Sequence, residues 1–171
     1  MEYQIDTRNH RTQEVRVGFE DQEVAVFRKV NFLIFNLEAK IGGIPYGLKL
    51  PAPWNGFRYR LFEERQELAN ARKLRRMHAF DKARPLIRHM LVEFELEVGD
   101  RLLHMVPDDR HGTEFDLLEG EEPIGRLALR SFEVQTEGGW QADVQVPDDW
   151  SAAHAAFVAW LAREGRRGMS S

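Results

Sequence analysis

The stretch Trp150-Ser151-Ala152-Ala153-His154-Ala155-Ala156-Phe157-Val158-Ala159-Trp160-Leu161-Ala162 decides how the rest of the chain is read. Only Ser151 and His154 in it are polar, so a helical wheel shows apolar residues on every side. A surface helix carries one apolar stripe; a helix that is apolar all round is buried on all sides. Thirteen residues span roughly 20 Å at ~1.5 Å each, whereas a bilayer core needs about 30 Å. The segment is too short to cross a membrane. Asp148 and Asp149 suit a helix start, and Gly165 with Arg163, Arg166 and Arg167 suits an end. We therefore expect a helix over about 148–165 and a short flexible tail at 166–171.

Upstream the chain is punctuated into short strands. Val15, Val17 and Phe19 alternate with Glu14, Arg16 and Gly18, and Phe57, Tyr59 and Leu61 alternate with Arg58 and Arg60. Val92, Phe94, Leu96 and Val98 alternate with Glu93, Glu95 and Glu97, and Gly99-Asp100 gives a hairpin signal. The blocks Val24–Phe27 and Phe32–Phe35 lack alternation, which suggests strands buried on both faces. Leu102–Val106, Phe115–Leu118, Ile124–Val134 and Trp140–Val146 complete the series, with turns about every ten residues, as in an all-β sandwich or barrel. Many strands and one enclosed helix point to a barrel wrapped around it. The five alanines between 152 and 159 let strands approach, while Phe157 and Trp160 fill wider space.

One segment has two readings. Residues 63–77 are rich in Glu, Gln, Ala, Arg and Leu, and Leu61, Leu68, Ala71 and Leu74 approach helical spacing. Yet Tyr59–Ala69 echoes Phe115–Gly125 in its pattern of strand, acidic turn and strand, which makes residues 58–74 a hairpin.

The 171 residues fit one domain, 1–171, large enough to bury a core unaided. With no cysteine there is no disulfide, thiolate zinc site, thiol nucleophile or S-acylation, which suits a reducing compartment. A net charge of −4 and a pI near 5.9 argue against nucleic acid as partner. The sequence from Met1 to Asp6 has neither the basic nor the apolar region of a signal peptide.

Phe94–Leu103, Phe115–Leu127 and Ala142–Trp150, leading into Ala152–Ala162, resemble in order the phospholipid scramblase, LURP-one-related and tubby C-terminal superfamily. There a hairpin ends in Ile/Val-Gly-Lys/Arg-hydrophobic, and a Pro-Asp turn leads into an apolar C-terminal helix. The likeness covers roughly residues 57–165; the first fifty residues add compatible strands without a matching motif. It implies a mainly β fold, a closed antiparallel barrel of about twelve strands around the helix. Tubby domains bind phosphoinositide head groups through basic side chains, and the nearest counterpart here is Gly125–Arg130, with the second basic residue displaced. Scramblases are linked to lipid movement and calcium. Of the acidic run before the Pro this chain keeps only Asp143, Asp148 and Asp149, so scrambling is not expected.

Charge is unevenly spread. Residues 72–88 hold seven basic residues against Asp81, a surplus of six that leaves −10 on the remainder. Such a stretch attracts anionic lipid, at about 1 kcal/mol per basic residue near the surface. Its plainer reading is a solvated loop that balances acidic strands such as Glu93, Glu95 and Glu97. Those three carboxylates repeat every ~7 Å along one strand face, too far apart for one ion without help from other elements. Pairing with Arg58, Arg60, Arg126 or Arg130 is the expected use. The six histidines show no i, i+4 pair, and no serine sits in a Gly-x-Ser-x-Gly elbow, so neither a metal site nor a cofactor is expected.

The expectation is a non-catalytic, cytoplasmic module that meets membranes only at their surface. Arg72, Lys73, Arg75, Arg76, Arg126 and Arg130 are the candidate residues for an anionic head group. A protein-interaction or structural module is the alternative, and an enzyme with a site at the barrel mouth around His104 or His154 is a third. Oligomeric state is left open.

Overall fold

The computed structural model describes residues 1–7, 14–29, 36–52, 56–78, 89–130 and 140–167. Twelve strands form a closed barrel: β1 (Glu2–Thr7), β2 (Val15–Phe19), β3 (Gln22–Lys29), β4 (Asn36–Ile41), β5 (Ile44–Lys49), β6 (Tyr59–Glu63), β7 (Gln66–His78), β8 (His89–Val98), β9 (Arg101–Pro107), β10 (Glu114–Glu119), β11 (Glu122–Arg130) and β12 (Trp140–Gln145). Each strand pairs antiparallel with its neighbours in sequence, and β1 closes the ring on β12, from Glu2↔Gln145 to Thr7↔Trp140. The first fifty residues thus supply five of the twelve strands. Closure leaves no free sheet edge.

Helix α1 (Ala152–Arg167) runs through the barrel. Ala153, Ala155, Ala156, Phe157, Ala159, Leu161 and Ala162 are buried to 1% exposure or less, which is the all-round burial its composition demands. It starts and ends later than 148–165. Asp148 and Asp149 lie in a turn closed by the Trp150 N–H donating to the Pro147 carbonyl, and Ser151 precedes the first helical residue. The helix continues through Gly165 because that residue passes tightly against β8: a Cβ there would stand 3.1 Å from the Phe94 ring. Arg166 and Arg167 therefore belong to the helix, and the expected tail from 168 lies outside the described residues.

Residues 58–74 are a hairpin. Tight pairing from Glu63↔Gln66 to Tyr59↔Ala71 joins β6 to β7 around Glu64 and Arg65. Ala69 and Ala71 face inward, where small side chains make room for the helix, while Leu68 and Leu74 alternate outward. The internal echo is structural as well. β6–β7 shifts register between Leu61 and Phe62, and β10–β11 shifts at the matching pair, Leu117 and Leu118. A third shift, between Val17 and Gly18, sits at the same distance from the β2–β3 turn. A bulge in each of these three hairpins bends its strand and raises the local twist, which helps a sheet curl shut.

Two local expectations are corrected. β3 is buried on one face only: Ala25 and Phe27 are buried, whereas Val24 and Val26 are half-buried on the outer side. The companion block Phe32–Phe35 lies outside the described residues. Phe57 does not begin a strand; it sits in a turn after Gly56, at φ +57°, and the strand starts at Tyr59.

The up-and-down order gives the barrel two unlike ends. At the end where α1 begins lie the tight turns, and the segments 20–21, 63–65, 99–101, 119–122 and 147–149 carry ten carboxylates against Arg65 and Arg101. Acid near a helix N-terminus is favoured by the helix dipole. The longer connections, and the C-terminal end of α1, are at the opposite end.

Candidate functional site

Strands β7 and β8 outlast their neighbours at that opposite end. β6 leaves β7 after Ala71, and β9 leaves β8 before Phe94, but β7–β8 pairing continues to His78↔His89. Residues 72–78 and 89–93 therefore form a two-stranded ribbon beyond the ladders of β6 and β9, in which Leu91, Val92 and Glu93 are still buried. Its seven β7 residues measure roughly 20 Å at ~3.3 Å each. The first half of the basic stretch is thus ordered strand and not a loop, and Lys82, Arg84 and Arg88 lie outside the described residues.

Strand alternation sorts the ribbon's basic residues onto two faces. Outward, Arg72 pairs with Glu95 and Arg76 with Glu93, each at 3.4 Å. Glu97, next in the row, pairs with Arg58 at 2.9 Å and accepts from Asn70 at 2.9 Å. Asn70 and Arg58 hold its carboxyl below the usual range. Of the four arginines expected to serve this row, Arg58 is seen to do so among the described residues. Arg60 pairs with Glu67, because the strand order puts the other carboxylates nearer to residues 72 and 76 of β7.

The other face carries Lys73, Arg75 and Met77. Lys73 is half-buried and donates to the Glu164 carbonyl at 3.2 Å, at the end of α1. Burial lowers its pKa, opposed by Glu164 and reinforced by Arg75. Arg75 is exposed and pairs with no carboxylate among the described residues. Met77 stands opposite Met90, and they are 49% and 56% exposed. Beside them Arg72 and Lys73 line a pocket of about 520 Å³ with Pro51, Gly56, Phe57 and Tyr59. Phe57 is 64% exposed. Tyr59 is buried beneath, edge-on to Phe94 and Trp160 at 5.8 and 5.7 Å, and burial pushes its pKa up to about 12.

Arg126 and Arg130 do not join this group. Both are on β11, four strands from β7 around the ring. Arg126 bridges Glu114 and Asp108, at 2.5 and 3.0 Å, and Arg130 pairs with Asp143. The six candidates thus divide into a ribbon cluster of four and two arginines already engaged elsewhere. Three residues of the ribbon end were missed by sequence reading: Phe57, Met77 and Met90. Nothing in the sequence marks them as exposed together; the register shows that β7 and β8 outlast their neighbours.

The two histidines expected at a barrel mouth are far apart in kind. His104 is on the outer face of β9, opposite Glu95, because Leu103 and Met105 take the inward positions. His154 lies at the opposite end from the ribbon, at the start of α1. Its Nδ1 stands 3.0 Å from the Ser151 hydroxyl and 3.3 Å from the Ser151 N–H, which donates to it. This resembles a capping box with histidine as the reciprocal acceptor. Burial lowers the His154 pKa to about 4, so the ring is neutral at pH 7.

Among the described residues no helix is long and apolar enough to cross a membrane. No family model, no curated protein and no solved structure matches the chain.

Proposed function

We propose that the protein is a non-catalytic binding module that takes anionic phospholipid head groups at the overhanging β7–β8 ribbon. The observation that supports this reading is the clustering of Arg72, Lys73, Arg75 and Arg76 on one strand beyond the β6 ladder, with Arg75 exposed and paired with no acid among the described residues. The resemblance to the scramblase and tubby group favours the same class of ligand, although a fold by itself names no function. Arg72 and Arg76 contribute less than bare charge counting implies, since Glu95 and Glu93 offset them. Arg126 and Arg130 are left out of the site.

Binding of this kind is weak and sensitive to salt, because exposed charges are screened beyond ~8 Å at physiological ionic strength. Co-sedimentation with vesicles of phosphatidylcholine, with and without phosphatidylserine, tests it. Reversing one charge removes about 2 kcal/mol at ~1 kcal/mol per basic residue, or roughly thirty-fold in binding. Arg75→Glu should therefore abolish most sedimentation with anionic vesicles, and Arg130→Gln should change little. Equal sedimentation of wild type and Arg75→Glu sinks the reading.

A protein-interaction module is the second reading, and it has its own observation. Among the described residues, ladder pairing between β3 and β4 is confined to Arg28↔Glu38 and Lys29↔Leu37. A groove of about 540 Å³ follows this seam, lined by Val24, Val26, Arg28, Glu38, Lys40 and Pro45. Its charges alternate in sign, as suits an extended peptide of mixed charge. Val26→Glu should abolish capture of such a peptide partner while leaving vesicle binding intact.

A further inference from the structure

We propose that the barrel docks upright on an anionic bilayer, ribbon end down, with Met77 and Met90 entering the interface between head groups and acyl chains. This rests on the lipid reading above and adds an apolar anchor and an orientation to it.

Three observations carry it. First, Met77 and Met90 are directly opposed across β7 and β8, and both are about half exposed. They continue the face of Val92 and Phe94 to the end of the ribbon, where the ladders of β6 and β9 have stopped. Phe57, the most exposed large apolar side chain among the described residues, borders the pocket at the ribbon's base with Arg72 and Lys73. Its positive φ of 57° is uncommon for an aromatic residue.

Second, the spacing suits a bilayer surface. Arg75 lies two residues before Met77 on the same face, about 7 Å along the strand. Head groups and interface add roughly 5–7 Å to each side of a ~30 Å hydrocarbon core. Arg75 and Met77 are thus offset along one face by about the thickness of the head-group layer. A soluble anion would use Arg75 and leave the methionine pair in water.

Third, the far end of the molecule opposes any other posture. Ten carboxylates against two arginines in its turns are repelled by the surface that attracts the ribbon. This end also carries exposed Met1, Ile44 and Leu102, but Arg101 beside Leu102 is held by Glu119 and Asp149. Both ends thus favour the same orientation.

The chain has no cysteine, so single sites can be labelled without removing any native thiol. Met77→Cys, Met90→Cys and Leu102→Cys would each carry an environment-sensitive fluorophore and be mixed with phosphatidylcholine vesicles with or without phosphatidylserine. Labels at 77 and 90 should brighten and shift to the blue with anionic vesicles only, and the label at 102 should stay unchanged. A companion variant, Met77→Ser with Met90→Ser, should lose roughly ten-fold in vesicle partitioning, as expected for partial burial of two such side chains. If the protein sediments with anionic vesicles but neither ribbon label shifts, insertion is overturned and head-group binding stands. A shift at 102 overturns the upright posture. A shift at 77 that follows protein concentration without vesicles means that a second copy covers the methionines, and it overturns the proposal. No sedimentation at all overturns the lipid reading and this inference together.

Discussion

The ammonium group of Lys73 donates to the carbonyl oxygen of Glu164 at 3.2 Å and so joins the base of the ribbon to the end of the buried helix. The last carbonyls of a helix have no partner within it, and a cation there also meets the negative end of the helix dipole. Lys73 is therefore a structural cation first and a ligand-binding one second. That distinguishes it from Arg75, although both lie on one face.

Lys73→Met keeps most of the aliphatic stem and removes the donor. We expect a loss of about 1 kcal/mol in stability, the usual worth of a partly solvated hydrogen bond, read from the urea midpoint. Arg75→Met should leave that midpoint unchanged and weaken vesicle binding. Identical behaviour of the two variants in both assays would contradict the division of roles.

Gly125 marks the tightest approach in the wall. A Cβ there would stand 2.5 Å from the backbone oxygen of Gln145 and 3.4 Å from a Leu117 methyl. Backbone in a closed ladder cannot yield as a side-chain end can, so Gly125→Ala should cost about 2–3 kcal/mol, in the range of overpacking strain. Gly18→Ala is the control, because the nearest atoms to its new methyl are at 3.6 Å, an ordinary contact. A thermal unfolding midpoint for Gly125→Ala equal to that of Gly18→Ala would show that the strands move apart freely.

The alanines of α1 make a related prediction inside the barrel. Ala155, Ala156 and Ala159 are fully buried against the wall. Ala156→Leu forces three more carbons into a packed space and should destabilise by about 1–3 kcal/mol. A midpoint at or above wild type would reveal a void around the helix.

How much of this was legible follows from the same residues. Trp150–Ala162 could be read because a wheel without a polar side has one physical meaning in a chain too short there to span a bilayer. The Tyr59 and Phe115 echo could be read because two hairpins carry the same bulge at the same place. Residues 63–77 were ambiguous because helix propensities of up to ~0.7 kcal/mol per residue are overridden by pairing on both sides. In the site, the basic run was visible, but its division was not. Whether Arg72 meets Glu95 and Arg126 meets Glu114 depends on register and strand order, which leave no trace in charge counts. The exposure of Met77 depends on where β6 stops.

His154 gives the last prediction, one of pH. Its pKa falls from 6.5 to about 4 on folding, chiefly through burial. Between those two values the unfolded chain binds a proton that the folded one rejects, so stability rises with pH across that window. The contribution is fully present above about pH 6.5 and declines as pH falls toward 4, by ~1.4 kcal/mol per unit and roughly 3 kcal/mol in all. Carboxylates also titrate near the lower end, so the quantity to measure is the difference between wild type and His154→Gln, which keeps an acceptor for Ser151 but does not titrate. Urea midpoints at pH 7, 5.5 and 4.5 should fall more steeply for wild type than for the variant. Parallel profiles would mean that the ring at the start of α1 takes up its proton as readily in the folded barrel as in water.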